Sequence, residues 1–213
     1  MKPNKIFIIR HGQSVGNVDR AHYDAIPDWK IHLTEQGHSQ AEEAGKLLSE
    51  VTAAGDLGVY VSSFHRTRQT WESMRKNIQE NSIKFVKEDP RLREQEWGYL
   101  GGTKSTVEEE RDAYGTFFYR IPGGESGADV YDRCTGFLDT LYRDFDKADF
   151  PPNVLIVTHG YTMRVLLKRW LHWSVEKFHL LKNPDNCKMV CLEKNSTTGK
   201  FDLTEPVESH ATI

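Results

Sequence analysis

Apolar residues fall into short unbroken runs separated by longer stretches in which they recur every three or four positions. Ile6–Ile9 is a run rich in β-branched side chains, of the kind buried on both faces of a sheet. Val154–Val157, set off by Pro151-Pro152-Asn153, is a second, and Val59–Val61 and Ile83–Val86 are shorter candidates. Met189–Leu192 and Phe201–Leu203, joined across Ser196–Gly199, read as a hairpin, with Asn195-Ser196-Thr197 as part of its turn. Helical periodicity fills the gaps. Thr34 is placed to cap a helix running to about Val51, with Ala41, Ala44, Leu47, Leu48 and Val51 on its inner face. Arg66–Ile78 turns Trp71, Met74 and Ile78 inward. Ser126, with Asp129 three positions on, forms a capping box for a helix through Phe145, and Tyr161–Trp173 carries Met163, Leu166, Leu167 and Trp170 at helical spacing. Strands alternating with helices predict an α/β fold: a mostly parallel sheet covered on both faces.

The 213 residues contain no repeat or linker long enough to divide them, so a single domain over 1–213 is expected, with about 205–213 as a flexible tail. With 28 Lys+Arg against 31 Asp+Glu, the charge balance excludes a strongly basic nucleic-acid binder as the default. The three cysteines, Cys134, Cys187 and Cys191, give no disulfide framework or zinc spacing; the last two read as buried strand residues. No apolar run approaches the roughly 20 residues of a membrane helix, and the N-terminus lacks a signal-peptide core. A cytoplasmic protein without a membrane or nucleic-acid partner is expected.

In sheets of this kind ligands bind beyond the carboxyl ends of the strands. Ile6–Ile9 ends in Arg10-His11-Gly12 and Val154–Val157 ends in Thr158-His159-Gly160, so each strong strand delivers a His-Gly pair to that edge. If the strands are neighbours, at roughly 4.8 Å spacing, the two imidazoles face one another. A single histidine after a strand is ordinarily just a loop residue; two in matching positions are not. Neither strand end supplies the carboxylate that would complete a metal site. The neighbouring groups are cationic instead: Arg10, and Arg66 and Arg68 after Val59–Val61. Guanidinium forks beside imidazoles suit a tetrahedral oxyanion such as phosphate, and Gly12 and Gly160 allow close backbone approach.

Arg10-His11-Gly12-Gln13-Ser14-Val15-Gly16-Asn17 resembles the signature of the histidine phosphatase superfamily, the phosphoglycerate-mutase-like proteins. Leu33–Gly37 with Gln40-Ala41, Ser62–Thr70, Leu92–Gly98 and Val157–Gly160 resemble further family segments in the same order. The resemblance implies a three-layer α/β/α sandwich with one late antiparallel strand. It also implies roles. His11 is the nucleophile, kept neutral by the surrounding arginines; Arg10, Arg66 and His159 hold the phosphoryl oxygens, with Asn17 as a neutral donor. Glu94 is the general acid and then the base for water, ahead of Glu96. No cofactor or metal is implied. Arg111, Tyr114 and Arg120 lie where the family places substrate-gripping residues, with helix packing or solvated charge the equal alternative.

Pro122-Gly123-Gly124-Glu125-Ser126 before a helix resembles the phosphatase side of the family, and the stretch through Arg133 is most similar to broad-range acid phosphatases. The insertion Ala21–His32 is expected at the pocket mouth. These features point to a metal-independent phosphomonoesterase acting on a small phosphorylated substrate. A phosphoglycerate mutase, a specialised sugar-bisphosphatase or a catalytically weak phosphate-binding module are the alternatives.

Overall fold

The computed structural model describes residues 3–53, 55–98 and 104–210. All six apolar runs are strands: β1 (Lys5–Arg10), β2 (Leu57–Val61), β3 (Ile83–Glu88), β4 (Asn153–Thr158), β5 (Met189–Lys194) and β6 (Phe201–Leu203). They form one sheet in the order β3-β2-β4-β1-β5-β6. β1, β2, β3 and β4 pair in parallel, whereas β5 is antiparallel to both β1 and β6. β5 is thus the one strand that runs against the rest, as expected. The β5–β6 turn is closed by Asn195, whose Oδ1 accepts from the amides of Thr197 and Thr198.

Alternation along each strand sends side chains to two separate cores. Ile6, Ile8, Val154 and Ile156 pack under α6 (Gly127–Phe145) and α7 (Gly160–Trp170), with Phe137, Leu141 and Leu166 at the centre. Phe7, Ile9, Leu155 and Val157 pack under α3 (Glu35–Val51) and α4 (His65–Arg75), against Ala41, Leu48, Trp71 and Met74. Burial on both faces explains why β1 and β4 are unbroken apolar runs. Truncating Phe137 to alanine would cost about 3–5 kcal/mol.

The caps are those read from the chain. Thr34 Oγ1 accepts from Gly37 N–H at 3.0 Å, and Ser126 and Asp129 form the reciprocal box. Two local expectations differ. Leu47 and Val51 face solvent, because the α3 stripe that meets the sheet runs through Ala41, Ala44 and Leu48. Cys187 is not a strand residue: it sits before β5 with φ of 56° and only Cys191 lies on the strand, both half-buried. Near the end of the described residues, Ser209 bridges Leu181. Among the described residues no helix is long and apolar enough to cross a membrane.

Candidate active site

β1 and β4 are direct neighbours, with Arg10 registered against Thr158. The residue after each strand is a histidine, so His11 and His159 leave the sheet side by side. Their ring centroids are 5.2 Å apart, edge to face. Both are buried, at 4% and 0% exposure.

The hydrogen bonds fix the state of His11. Arg66 Nε, which can only donate, lies 3.2 Å from His11 Nε2, while Nδ1 lies 2.7 Å from the carbonyl oxygen of Gly12. Nδ1 therefore carries the proton, and Nε2 presents a lone pair. Burial, then the charges of Arg66 and Arg10, push the pKa of His11 well below its ordinary 6.5. His159 caps α7, and its Nε2 is 2.8 Å from Ser62 Oγ at the end of β2. Burial and the Arg66 charge lower its pKa as well. Its Nδ1 is buried without a partner among the described residues.

Arg66 follows β2 on the first turn of α4 and is only 2% exposed. Its Nη1 donates to Asp28, both to the carbonyl oxygen and to Oδ1. Asp28 lies in the insertion Ala21–His32, which follows α1 (Val15–Val18) and carries α2 (His22–Ala25) and a 3₁₀ turn, Asp28–Lys30. Arg10 Nη1 donates to the carbonyl oxygen of Pro184, and its Nε is buried without a partner among the described residues. Asn17 Oδ1 accepts from Ser14 N–H and from Asn186 Nδ2, which also donates to the carbonyl oxygen of His11.

Glu94 comes from the loop after β3 and is held at the first turn of α7. Its carboxylate accepts from the amides of Tyr161 and Thr162 at 3.1 and 3.0 Å, where the helix end offers free N–H groups. The loop itself is built on Glu125. That carboxylate accepts from Arg93, from Arg133 and from the amide of Glu96. Arg133 Nη2 in turn holds the carbonyl oxygen of Glu94. Despite burial, the Arg133 guanidinium and the other donors hold the Glu125 pKa below its ordinary value.

Arg10, His11, Asn17, Arg66 and Glu94 share one cavity of about 910 Å³, whose outer wall includes Tyr23, Asp28, Trp29, Trp97, Arg111 and Arg164. The insertion thus lines the cavity through Tyr23, Pro27, Asp28 and Trp29, and exposed Glu96 lines it as well. Arg111 is on α5 (Lys104–Tyr114), over the rings of Trp97 and Tyr161. The other two residues expected to grip substrate do not reach the cavity. Tyr114 is 71% exposed, and exposed Arg120 pairs with Asp129. Arg68 pairs with Glu88 on the surface. Gly12 and Gly160 do not line the cavity either. Gly12 is needed for packing, since a Cβ there would collide with the carbonyl oxygen of Gly37 in α3. Arg164 went unseen in the sequence; Asp28 was visible only as part of the insertion, and Glu125 and Arg133 only as letters of the stretch that resembles the phosphatases. Among the described residues no three of His, Cys, Asp and Glu cluster as a metal site.

The model of the histidine phosphatase superfamily (branch 1) matches residues 6–205. The chain is 40% identical to the phosphoglycerate mutase-like protein AT74H of Arabidopsis thaliana, over 91% of this chain and 75% of that protein. It is 27% identical to the broad-range acid phosphatase DET1 of Saccharomyces cerevisiae, over 95% and 89% of the two chains. Among solved structures, a mycobacterial glucosyl-3-phosphoglycerate phosphatase in complex with VO3 superposes with a TM-score of 0.72, at 23% identity, covering 97% of this chain and all of that one. A mycobacterial hydrolase superposes at 0.73 with 24% identity, again over 97% and 100%. At that identity the two structures establish the fold; the match across nearly the whole sequence establishes the family. With His11, Arg10, Arg66 and Glu94 gathered at the strand edge, the chain belongs to the histidine phosphatase superfamily, branch 1.

Proposed function

We propose that this chain is a phosphomonoesterase that needs no metal ion and works through a phosphohistidine on His11. The observation that carries this reading is the state of His11: a buried, neutral imidazole whose Nδ1–H is anchored on Gly12 and whose Nε2 lone pair meets a guanidinium. As the substrate enters, the Arg66 Nε hydrogen bond passes from His11 Nε2 to a phosphoryl oxygen; the freed Nε2 lone pair attacks phosphorus, and the ester oxygen departs on the far side. Arg10, Arg66 and Asn17 surround the transferring group. His159 Nδ1 and Arg10 Nε, both without a partner among the described residues, are the further groups the site offers. These groups stabilise charge as it moves onto the equatorial oxygens. Glu94 gives its proton to the leaving oxygen, then takes one from the water that attacks the phosphohistidine, regenerating His11 and releasing phosphate.

Hydrolysis suits a cavity of about 910 Å³ lined by Glu94, which has room for water beside a small phosphate ester. The acid phosphatases among the relatives support the same direction. The substrate is a small phosphate ester. The test is rapid quench of the protein with a chromogenic phosphate ester, followed by mass spectrometry above neutral pH, where phosphohistidine survives. A phosphoryl group on the peptide bearing His11 is expected, with adduct and turnover both absent in His11→Ala. Substantial turnover in that variant would overturn the mechanism.

A further inference from the structure

The mechanism above leaves Asp28 without a role, yet Asp28 is the carboxylate placed closest to its machinery. Arg66 Nη1 donates to Asp28 Oδ1 at 2.6 Å and to the Asp28 carbonyl oxygen at 2.8 Å. The side chains of the pair are 2% and 27% exposed. With Arg66 Nε on His11 Nε2, the Nη2 hydrogens are those left for a phosphoryl oxygen among the described contacts. Retaining a carboxylate here is costly. Burial raises its pKa against the pull of Arg66, and the other acids near it, Glu94 and Glu96 on the β3 loop, raise it further. Tyr23 on α2 also faces it, itself pushed up by burial. An anion is therefore kept, at a cost, beside a pocket that must accept an anion.

We propose that Asp28 is a positioning residue with two effects: it aims the Arg66 guanidinium at His11 and the phosphoryl group, and its fixed negative charge weakens the grip of the pocket on free phosphate. The second effect has a kinetic logic. Attraction between arginines and a phosphate dianion that is equal in the ground and transition states does nothing for kcat, and it retains the product. A nearby carboxylate offsets that uniform attraction while leaving the directed hydrogen bonds of Arg66 in place. The proposal rests on the phosphatase reading.

Asp28→Asn removes the charge but keeps an oxygen for Arg66 Nη1; Asp28→Ala removes both. Binding of inorganic phosphate is measured by titration calorimetry for the wild type and both variants, together with kcat and KM on a nitrophenyl ester. Asp28→Asn is expected to bind phosphate about tenfold more tightly at neutral pH, the size of one unit charge a few ångströms away in a partly solvated cleft. Its KM falls by a similar factor and kcat stays within about threefold, because the hydrogen bond survives. Asp28→Ala loses kcat by about tenfold, because Arg66 is no longer aimed. The phosphate affinities of wild type and Asp28→Asn converge as the pH is lowered through the raised pKa of Asp28. Arg66, Glu94, Glu96 and Tyr23 are present in both proteins, and their coupling to Asp28 broadens the convergence without changing its direction. Equal or weaker phosphate binding by Asp28→Asn, or a kcat loss in Asn as deep as in Ala, overturns the proposal. Failure of the phosphatase reading has a separate signature: a wild type that binds phosphate in the same titration but forms no phosphohistidine.

Discussion

Replacing Glu125 by glutamine perturbs the loop that carries the acid without touching the cavity. In the native protein its two carboxylate oxygens accept from Arg93 Nη2, Arg133 Nε and Nη2, and the Glu96 amide. Glu125 and Arg133 are 12% and 9% exposed. Glutamine keeps the shape but turns an NH2 group towards donors and leaves the Arg133 charge buried without its counter-ion. Removing one partner of a buried pair costs about 3–5 kcal/mol; because Arg93 is a third exposed, the lower end, about 3 kcal/mol, is appropriate. For a chain of this size that lowers Tm by roughly 6–12 °C. Activity should fall as well, since Arg133 also holds the Glu94 carbonyl oxygen. The pH dependence has a definite sign. The folded-state pKa of Glu125 is depressed below its ordinary 4.5, so the carboxylate contributes fully above that value and its contribution is lost as pH falls through the depressed pKa. The gap in stability between wild type and Glu125→Gln should therefore close in acid. Thermal unfolding followed by circular dichroism across that range measures it. A Tm change under about 2 °C at neutral pH, or a gap that persists unchanged in acid, would refute this account of the loop.

Glu94→Gln should cost roughly 10²–10⁴-fold on alkyl phosphates and far less on nitrophenyl phosphate, whose leaving group departs without a proton; equal losses on both would move the role to another group. Hydrolysis should continue after dialysis against a chelator, because arginines and imidazoles supply the positive charge; loss of activity restored by Mg²⁺ or Zn²⁺ would contradict this. The depressed pKa of His11 keeps the nucleophile neutral below pH 6.5, so the acid limb of activity should lie below that value. Arg10→Gln removes one of the charges responsible and should move that limb upward; a limb that stays in place would separate Arg10 from His11.

The six strands and the helices α3, α4, α6 and α7 were legible because each is encoded locally. Unbroken apolar runs marked strands buried on both faces, and Thr34 and the Ser126–Asp129 pair marked helix starts through hydrogen bonds spanning three residues. The His-Gly pairs were legible for the same reason, each being tied to the end of its own strand. That β1 and β4 are neighbours, and hence that His11 meets His159, was a condition the sequence could only state. Side-chain direction was harder still. Tyr114 and Arg120 share a segment with Arg111, yet only Arg111 lines the cavity: Tyr114 ends α5 exposed to solvent, and Arg120 lies beyond the helix, where it pairs with Asp129 on α6. Gly12 had a reason the sequence could not supply: the carbonyl oxygen it accommodates belongs to Gly37 on another element. Asp28 and Glu125 are the clearest case. As letters they are carboxylates in loops, where solvation is the ordinary fate. Their partners, Arg66 and Arg133, are on other elements, and only the folded chain brings charge to charge at a distance where burial makes the pairing matter.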